Sequence, residues 1–340
     1  MQRGFQVTTR RRRSITIKDV ARYAGVSTAT VSRVLNGSSP VKDELVERVQ
    51  HAVTTLGYHP NAAARSLKTR KANAIGILVP DISNPYFMQI IKGIEDVMAL
   101  DYSLLMASSD EDSKKEKKLL NVLSEDRIDC LVLATAGGND EVIRAIDEKG
   151  IPVVLIDRLP ESLANTMDSV VEDNFWSAYE LAQSMIKLEI ESLGIIHGPM
   201  SASTAYKRAS GCMSAIRQHG SKLTVREYFG DFTLESGERA VEHFLQGEAP
   251  EAIIAMNNLM AVGAISELIK RGFVIGKDIM LGSYGAIENH LLFDSSLRYV
   301  EQEPRTLGKL AGKVVQRRLE DRHAEAVSHV VKQQLGVTFK

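Results

Sequence analysis

The sequence predicts a small N-terminal all-α helix-turn-helix domain joined to an α/β body of two Rossmann-like lobes with parallel sheets. Three observations predict it. Two short helical stretches flank Gly25, and from Ala74 onward apolar strand-like runs alternate with helix-period runs in two successive series of similar size. Charge divides the chain at the same place. Residues 1–71 hold 14 Lys and Arg against 4 Asp and Glu, net +10; residues 72–340 hold 28 against 39, net −11. A basic end on an acidic body points to nucleic acid at that end.

In chain order, residues 1–14 read as a disordered basic arm whose Arg10 to Arg13 could add phosphate contacts, although charge runs are often only solvated surface. The helix-turn-helix domain spans 15–59. Lys18 to Ala24 predicts a helix with Val20, Ala21 and Ala24 on one face, and Thr16 with Asp19 three residues on approximates a capping box. Gly25 supplies the left-handed residue that ends it. Ser27 can cap a second helix, Thr28 to Leu35. Its Val31, Val34 and Leu35 face the first helix, which turns Thr28, Ala29, Ser32 and Arg33 outward. Such a pair sends its second helix into the DNA major groove. Arg33 could fork onto a guanine edge, and Ala29 or a Thr methyl could touch thymine methyls. A surface helical hairpin without nucleic acid is the alternative, since short motifs match by chance. A third helix, Asp43 to Leu56, repeats apolar residues at helical spacing. Residues 60–72 form a linker.

The body, 73–340, alternates. Strand AIGILVPD leads to helix Tyr86 to Leu100, strand SLLMAS to helix Ser113 to Arg127, strand DCLVLATA to helix Asp140 to Lys149, and strand PVVLID closes the first series. Strand SVVED opens the second, with helix Phe175 to Leu188, strand LGIIHG, helix Ser203 to His219, strand REYFGDF, helix Glu235 to Leu245, strand AIIAMN, helix Leu259 to Arg271 and strand IMLGSY. The tail reads as strand LRYVEQE, helix Leu307 to Glu320 and one strand SHVVKQQL. Alternation of this kind predicts parallel sheets with helices on both faces. A ligand then sits beyond the carboxyl ends of the strands.

VARYAGVSTATVSRVLNG and GYHPNAAARSL lie near one known pattern in order and spacing. The segment from Ile17 to Leu67 resembles the lactose repressor (LacI/GalR) family of bacterial transcription regulators. The resemblance extends more weakly over the body, through VPDISNPYF, GDFTLESG and the run from Asn257 to Gly263. It implies a periplasmic-binding-protein-like body. The chain would cross between an N-lobe of about 73–172 and 302–331 and a C-lobe of about 173–301 and 332–340. It also implies that Pro60 to Leu67 is a hinge, helical in the operator's minor groove, with Leu67 wedged into a base step at a few kcal/mol of unstacking. A free hinge would be disordered. The candidate DNA contacts are Thr16, Ser27, Thr28, Ala29, Thr30, Ser32, Arg33, Asn36, Tyr58, Asn61, Ala64, Arg65 and Leu67.

For the cleft, Tyr86 and Phe87 stand where a strand ends and a helix starts, with Phe87 equally suited to its helix's core. Arg158 follows PVVLID. By resemblance Arg208, with Thr204 beside it, is the cleft arginine that could fork onto hydroxyls, a carboxylate or a phosphate. Phe232 is an aromatic over the ligand, Asn257 a hydrogen-bonding residue, and Tyr284 belongs to the last cleft run. That run departs from the pattern. Gly285 falls where the family has an Asp, which removes a charge-assisted contact of about 1.5–3 kcal/mol. Asn258 also replaces an Asp, and Lys42 a capping Ser.

Catalytic motifs are missing: no Walker loop, no HExxH and no GxSxG elbow. The expectation is a non-enzymatic, cytoplasmic regulator without cofactor, nucleoid-associated when bound to DNA. Its partners would be a double-stranded pseudo-palindromic operator, a sugar, sugar phosphate or related effector, and a second copy of itself. No heptad tail follows the last strand to suggest a tetramer. No run reaches the length of a membrane span and no signal core opens the chain. Cys130 and Cys212 read as buried free thiols. Two other readings are a solute-binding module without DNA function, and an effector-independent regulator whose body only dimerises.

Overall fold

The computed structural model describes residues 15–36, 40–58, 72–98, 101–125, 128–220, 223–287 and 297–337. They belong to two compact units that divide between Ala72 and Asn73. Arg10 to Arg13, and the expected hinge with Asn61, Ala64, Arg65 and Leu67, lie outside the described residues.

Among the described residues the first unit holds three helices, α1 (Ile17–Ala24), α2 (Thr28–Asn36) and α3 (Asp43–Leu56). Val20, Ala21, Ala24, Val31, Val49, Ala52 and Tyr58 make its core. Gly25, at φ +64°, ends α1 in the left-handed region, and a side chain there would meet the Arg48 guanidinium. Lys42 precedes α3 without capping it through its side chain.

The second unit holds two six-stranded sheets. The N-lobe contains β1 (Ala74–Val79), α4 (Pro85–Met98), β2 (Ser103–Ser108), α5 (Ser113–Leu123), β3 (Cys130–Leu133), α6 (Asp140–Glu148), β4 (Val153–Ile156) and β5 (Asp168–Glu172). The C-lobe contains α7 (Asn174–Ile186), β6 (Ser192–His197), α8 (Ser203–His219), β7 (Thr224–Phe229), α9 (Leu234–Phe244), β8 (Ala252–Ala255), α10 (Asn258–Lys270), β9 (Met280–Tyr284) and β10 (Leu297–Glu301). The chain returns through α11 (Pro304–Glu320) and β11 (Ser328–Val331) to the first sheet, and through β12 (Gln334–Val337) to the second. Strand orders are β11-β5-β4-β3-β1-β2 and β12-β10-β9-β8-β6-β7.

The first sheet is all parallel; in the second only β12 runs antiparallel, against β10. The central strands β1, β3, β4 and β8 are buried along their whole length, which is why they read as unbroken apolar runs. The expected helix to Arg127 stops at Leu123. The single strand expected at SHVVKQQL is a correction: it is two strands in different sheets, broken at Lys332-Gln333. The Gln333 amide anchors that crossing, donating to the Val331 carbonyl and accepting from Ser177 Oγ. Both halves are half-exposed strands on a sheet edge, so the polar Lys332-Gln333 between them does not stand out and periodicity could not show the break. Three crossings, at Asp173, at Gln302-Glu303 and at Lys332-Gln333, therefore join the lobes.

Candidate ligand cleft and nucleic-acid interface

On α2, Thr28, Ala29 and Arg33 are exposed, Thr30 and Ser32 half-buried, and Val31 buried beneath them. The Ser27 hydroxyl accepts from Thr30 N–H at 3.1 Å and lies 2.9 Å from the Thr30 hydroxyl, so both are engaged in starting the helix. The Thr16 backbone N–H and hydroxyl both donate to the Asp19 carboxylate, at 3.0 and 2.7 Å. Asn36 is the last residue of α2. Tyr58 packs in the core of this unit. Among the described residues of α2, Thr28, Ala29 and Arg33 are the exposed groups that a groove could meet directly. Sequence reasoning missed Arg48: from α3 its Nε and Nη2 donate to the Ala24 carbonyl at 3.1 and 2.6 Å, tying the turn between α1 and α2.

Between the lobes, beyond the carboxyl ends of the strands, lies a cavity of about 700 Å³. Its wall brings together Tyr86, Phe87 and Arg158 from the N-lobe with Thr204, Arg208, Phe232 and Asn257 from the C-lobe. Phe87 is mostly in the N-lobe core. Tyr284 is not on the wall: it is fully buried behind Arg208, whose guanidinium lies 3.7 Å from its ring centroid. A buried aromatic shelf for a cation is a known packing arrangement.

The arginines are held firmly. Arg208 Nε donates to Asn174 Oδ1 at 2.7 Å and Nη1 to the Met256 carbonyl at 2.9 Å. Arg158 Nη2 and Nη1 donate to the two Glu111 oxygens at 2.6 and 2.7 Å, and Nη1 also to the Thr135 carbonyl. Phe232 lies across the cleft with its ring centroid 5.5 Å from Arg158 Cζ. Leu159 N–H donates to Ser203 Oγ at 3.1 Å, tying one lobe to the other. Asn257 Oδ1 caps α10 by accepting from the N–H groups of Leu259 and Met260, which leaves its NH₂ as the group it can offer.

Beneath the wall two carboxyls are buried. Asp157, at φ +59°, accepts from the Tyr86 hydroxyl at 2.9 Å. Burial raises its carboxyl above the usual range, although Arg158 and Arg208 pull the other way. Glu172 accepts from Gln302 Nε2 at 2.6 Å, and burial, with Asp157 nearby, raises its carboxyl to about 7. Asp157 ends PVVLID at the cleft edge, as its place before Arg158 suggests, whereas Glu111, Glu172, Asn174 and Gln302 escaped sequence reasoning as site residues. They sit at strand ends and crossings, and only the folded chain brings them together. Gly285 is explained by the same convergence. At φ +103° it suits only glycine, and a Cβ there would lie 2.6 Å from Gln302 Oε1 and 3.2 Å from Asn258 Cβ. Gln302 therefore fills the space that a side chain at 285 would need, and the wall presents an amide there.

Among the described residues no group of His, Cys, Asp and Glu could hold a metal ion, and no helix is long and apolar enough to cross a membrane. Both cysteines are buried and free.

Residues 16–61 match the model described as bacterial regulatory proteins, lacI family, and residues 72–334 that of the periplasmic binding proteins and sugar binding domain of the LacI family. The HTH-type transcriptional repressor PurR of Aliivibrio salmonicida is 32% identical over 91% of this chain and 94% of its own. The fold is similar to that of the lac repressor dimer bound to operator and the anti-inducer ONPF, with TM-score 0.81 and 23% identity over 95% and 98% of the two chains. It is also similar to the Cra transcriptional dual regulator from Pseudomonas putida in complex with fructose 1-phosphate, with TM-score 0.73 and 25% identity over 79% and 100%.

Proposed function

The chain belongs to the lacI family of bacterial regulatory proteins, and on that premise we propose how it regulates transcription. It acts as a dimeric repressor that binds a pseudo-palindromic operator and is released or tightened by a small carbohydrate or related metabolite. Two-fold symmetry of the protein requires two-fold symmetry of the site. Thr28, Ala29 and Arg33 read bases, Ser27, Thr30, Ser32, Asn36 and Thr16 set the helix against the backbone, and Asn61, Ala64, Arg65 and Leu67 act as the minor-groove hinge. Residues 15–59 read DNA, 60–72 couple, and 73–340 sense the effector. The protein does no catalysis and works in the cytoplasm on the nucleoid.

The observation that carries the effector reading is the cavity of about 700 Å³ walled by both lobes, with Arg158, Arg208 and Phe232 fixed on its wall. Its size suits a small ligand, and the relative solved with fructose 1-phosphate supports a carbohydrate of that size. Effector and operator can influence each other only by the effector's differential affinity for two states of the dimer. The test is selection of genomic fragments by the full-length protein, followed by sequencing. An enriched palindrome supports the reading; enrichment that stays at salt-sensitive background, with and without candidate metabolites, overturns it. A thermal-shift screen then tests the cleft, because Arg208→Ala should abolish the response to whichever metabolite stabilises the wild type.

A further inference from the structure

We propose that Glu111 sets the charge selectivity of the cleft: by occupying the Arg158 fork it reserves the site for uncharged ligands and shuts out phosphate and carboxylate groups. This rests on the reading of the cleft as the effector site. The planar guanidinium fork is the natural receptor for a phosphate or carboxylate, through two parallel N–H bonds. In this chain the fork is already filled, with both Arg158 Nη atoms on Glu111 oxygens at 2.6 and 2.7 Å. Nη1 has a further acceptor in the Thr135 carbonyl, and the Arg158 side chain is only 3% exposed. Glu111 reaches it because Asp110 and Glu111 are successive residues at positive φ, +52° and +56°, just beyond β2. Non-glycine residues held in that region cost energy, and such strain gathers at ligand clamps.

The second cation offers no free fork. Arg208 has Nε on Asn174 and Nη1 on the Met256 carbonyl, with its guanidinium against the Tyr284 ring, so it can turn only Nη2 toward a ligand, and the buried carboxyls of Asp157 and Glu172 lie close to it. The remaining carboxylates on the wall are Asp81, Asp110 and Asp231, of which Asp110 pairs with Lys115. A phosphate entering this cleft meets carboxylates and no arginine with both Nη atoms free to grip it. An uncharged ring loses nothing by this arrangement. It can lie on Phe232 and donate hydroxyl protons to carboxylate oxygens.

Glu111→Gln keeps the shape of the side chain and removes its charge, so the fork becomes available. The probe is inorganic phosphate, titrated calorimetrically into the full-length protein and checked by thermal midpoint. Wild type should bind it weakly or not at all. Glu111→Gln should bind it at least about tenfold more tightly, with a midpoint that rises with phosphate. Glu111→Asp, which keeps the charge, should not gain, and adding Arg158→Met to Glu111→Gln should erase the gain. Equal phosphate affinity in wild type and a folded Glu111→Gln, or a gain that survives Arg158→Met, overturns the proposal. Hexoses and hexose phosphates tested on wild type separate it from the reading of the cleft. A hexose response lost in Arg208→Ala supports both, and a hexose phosphate response lost in Arg158→Met overturns only the selectivity. A response untouched by either substitution overturns the cleft assignment, while the phosphate titration still decides whether Glu111 blocks the fork.

Discussion

Glu172 ends β5 at the first crossing between the lobes, 3% exposed, with its carboxyl raised to about 7 by burial and by Asp157. An unfolded Glu titrates at about 4.3. Between those values the folded state holds a proton that the unfolded state releases. The stability this group contributes is therefore complete below about pH 4.3 and is lost as pH rises through 7, the reverse of a salt-bridged carboxylate. Its loss between pH 5 and 8 amounts to about 2–3 kcal/mol. Glu172→Gln should flatten that slope and leave the body more stable than wild type at pH 8, read as urea midpoints across the pH range. A variant with the wild-type slope would show that the titration belongs elsewhere. Cys130 and Cys212 are pushed up by burial, so neither should react with a thiol reagent in the folded protein.

The helices α4 and α11 belong to segments far apart in sequence, and glycines bring them together. A side chain at Gly308 would strike the Ile90 carbonyl, and one at Gly93 the Arg305 carbonyl. Gly308→Ala should therefore cost about 1–3 kcal/mol of the body's stability in chemical denaturation, because neither backbone can give way without moving its helix. A loss under about 0.5 kcal/mol would mean that the helices slide apart freely, contrary to close-packed interiors. For α2, Arg33→Ala should weaken specific operator binding by about 1–3 kcal/mol and relax sequence preference at one position per half-site. A uniform loss across all sequences would instead make Arg33 a phosphate contact.

Over the whole molecule, charge is divided between a net +10 over residues 1–71 and a net −11 over 72–340. The acidic body repels DNA, so binding must run through the basic end, with a steep dependence on salt. Replacing Arg10 to Arg13 with Ala should lower the slope of log K against log salt by about 0.9 for each phosphate that these arginines neutralise. An unchanged slope would make the run a solvated tail.

The sequence by itself determined the order of the elements and the family. Local chemistry decides these: Gly25 ends α1 wherever it is placed, and buried parallel strands read as apolar runs because both faces are covered. Arg158 follows a strand run toward the carboxyl side of a doubly wound sheet, and the resemblance implied Arg208, Phe232 and Asn257 as cleft residues; all four line the cavity wall. Tertiary structure alone decided what those residues touch. Tyr284 ends β9 as a cleft residue would, yet it lies behind Arg208. The change of sheet at Lys332-Gln333 lies between two half-exposed edge strands, where polar residues are expected anyway. Glu111 and Arg158 are 47 residues apart, and Glu172 and Gln302 are 130 apart. Periodicity reports which face a residue takes on its own helix or strand. It carries no information about which distant side chain will share that space, and the charge selectivity of the cleft depends on that sharing.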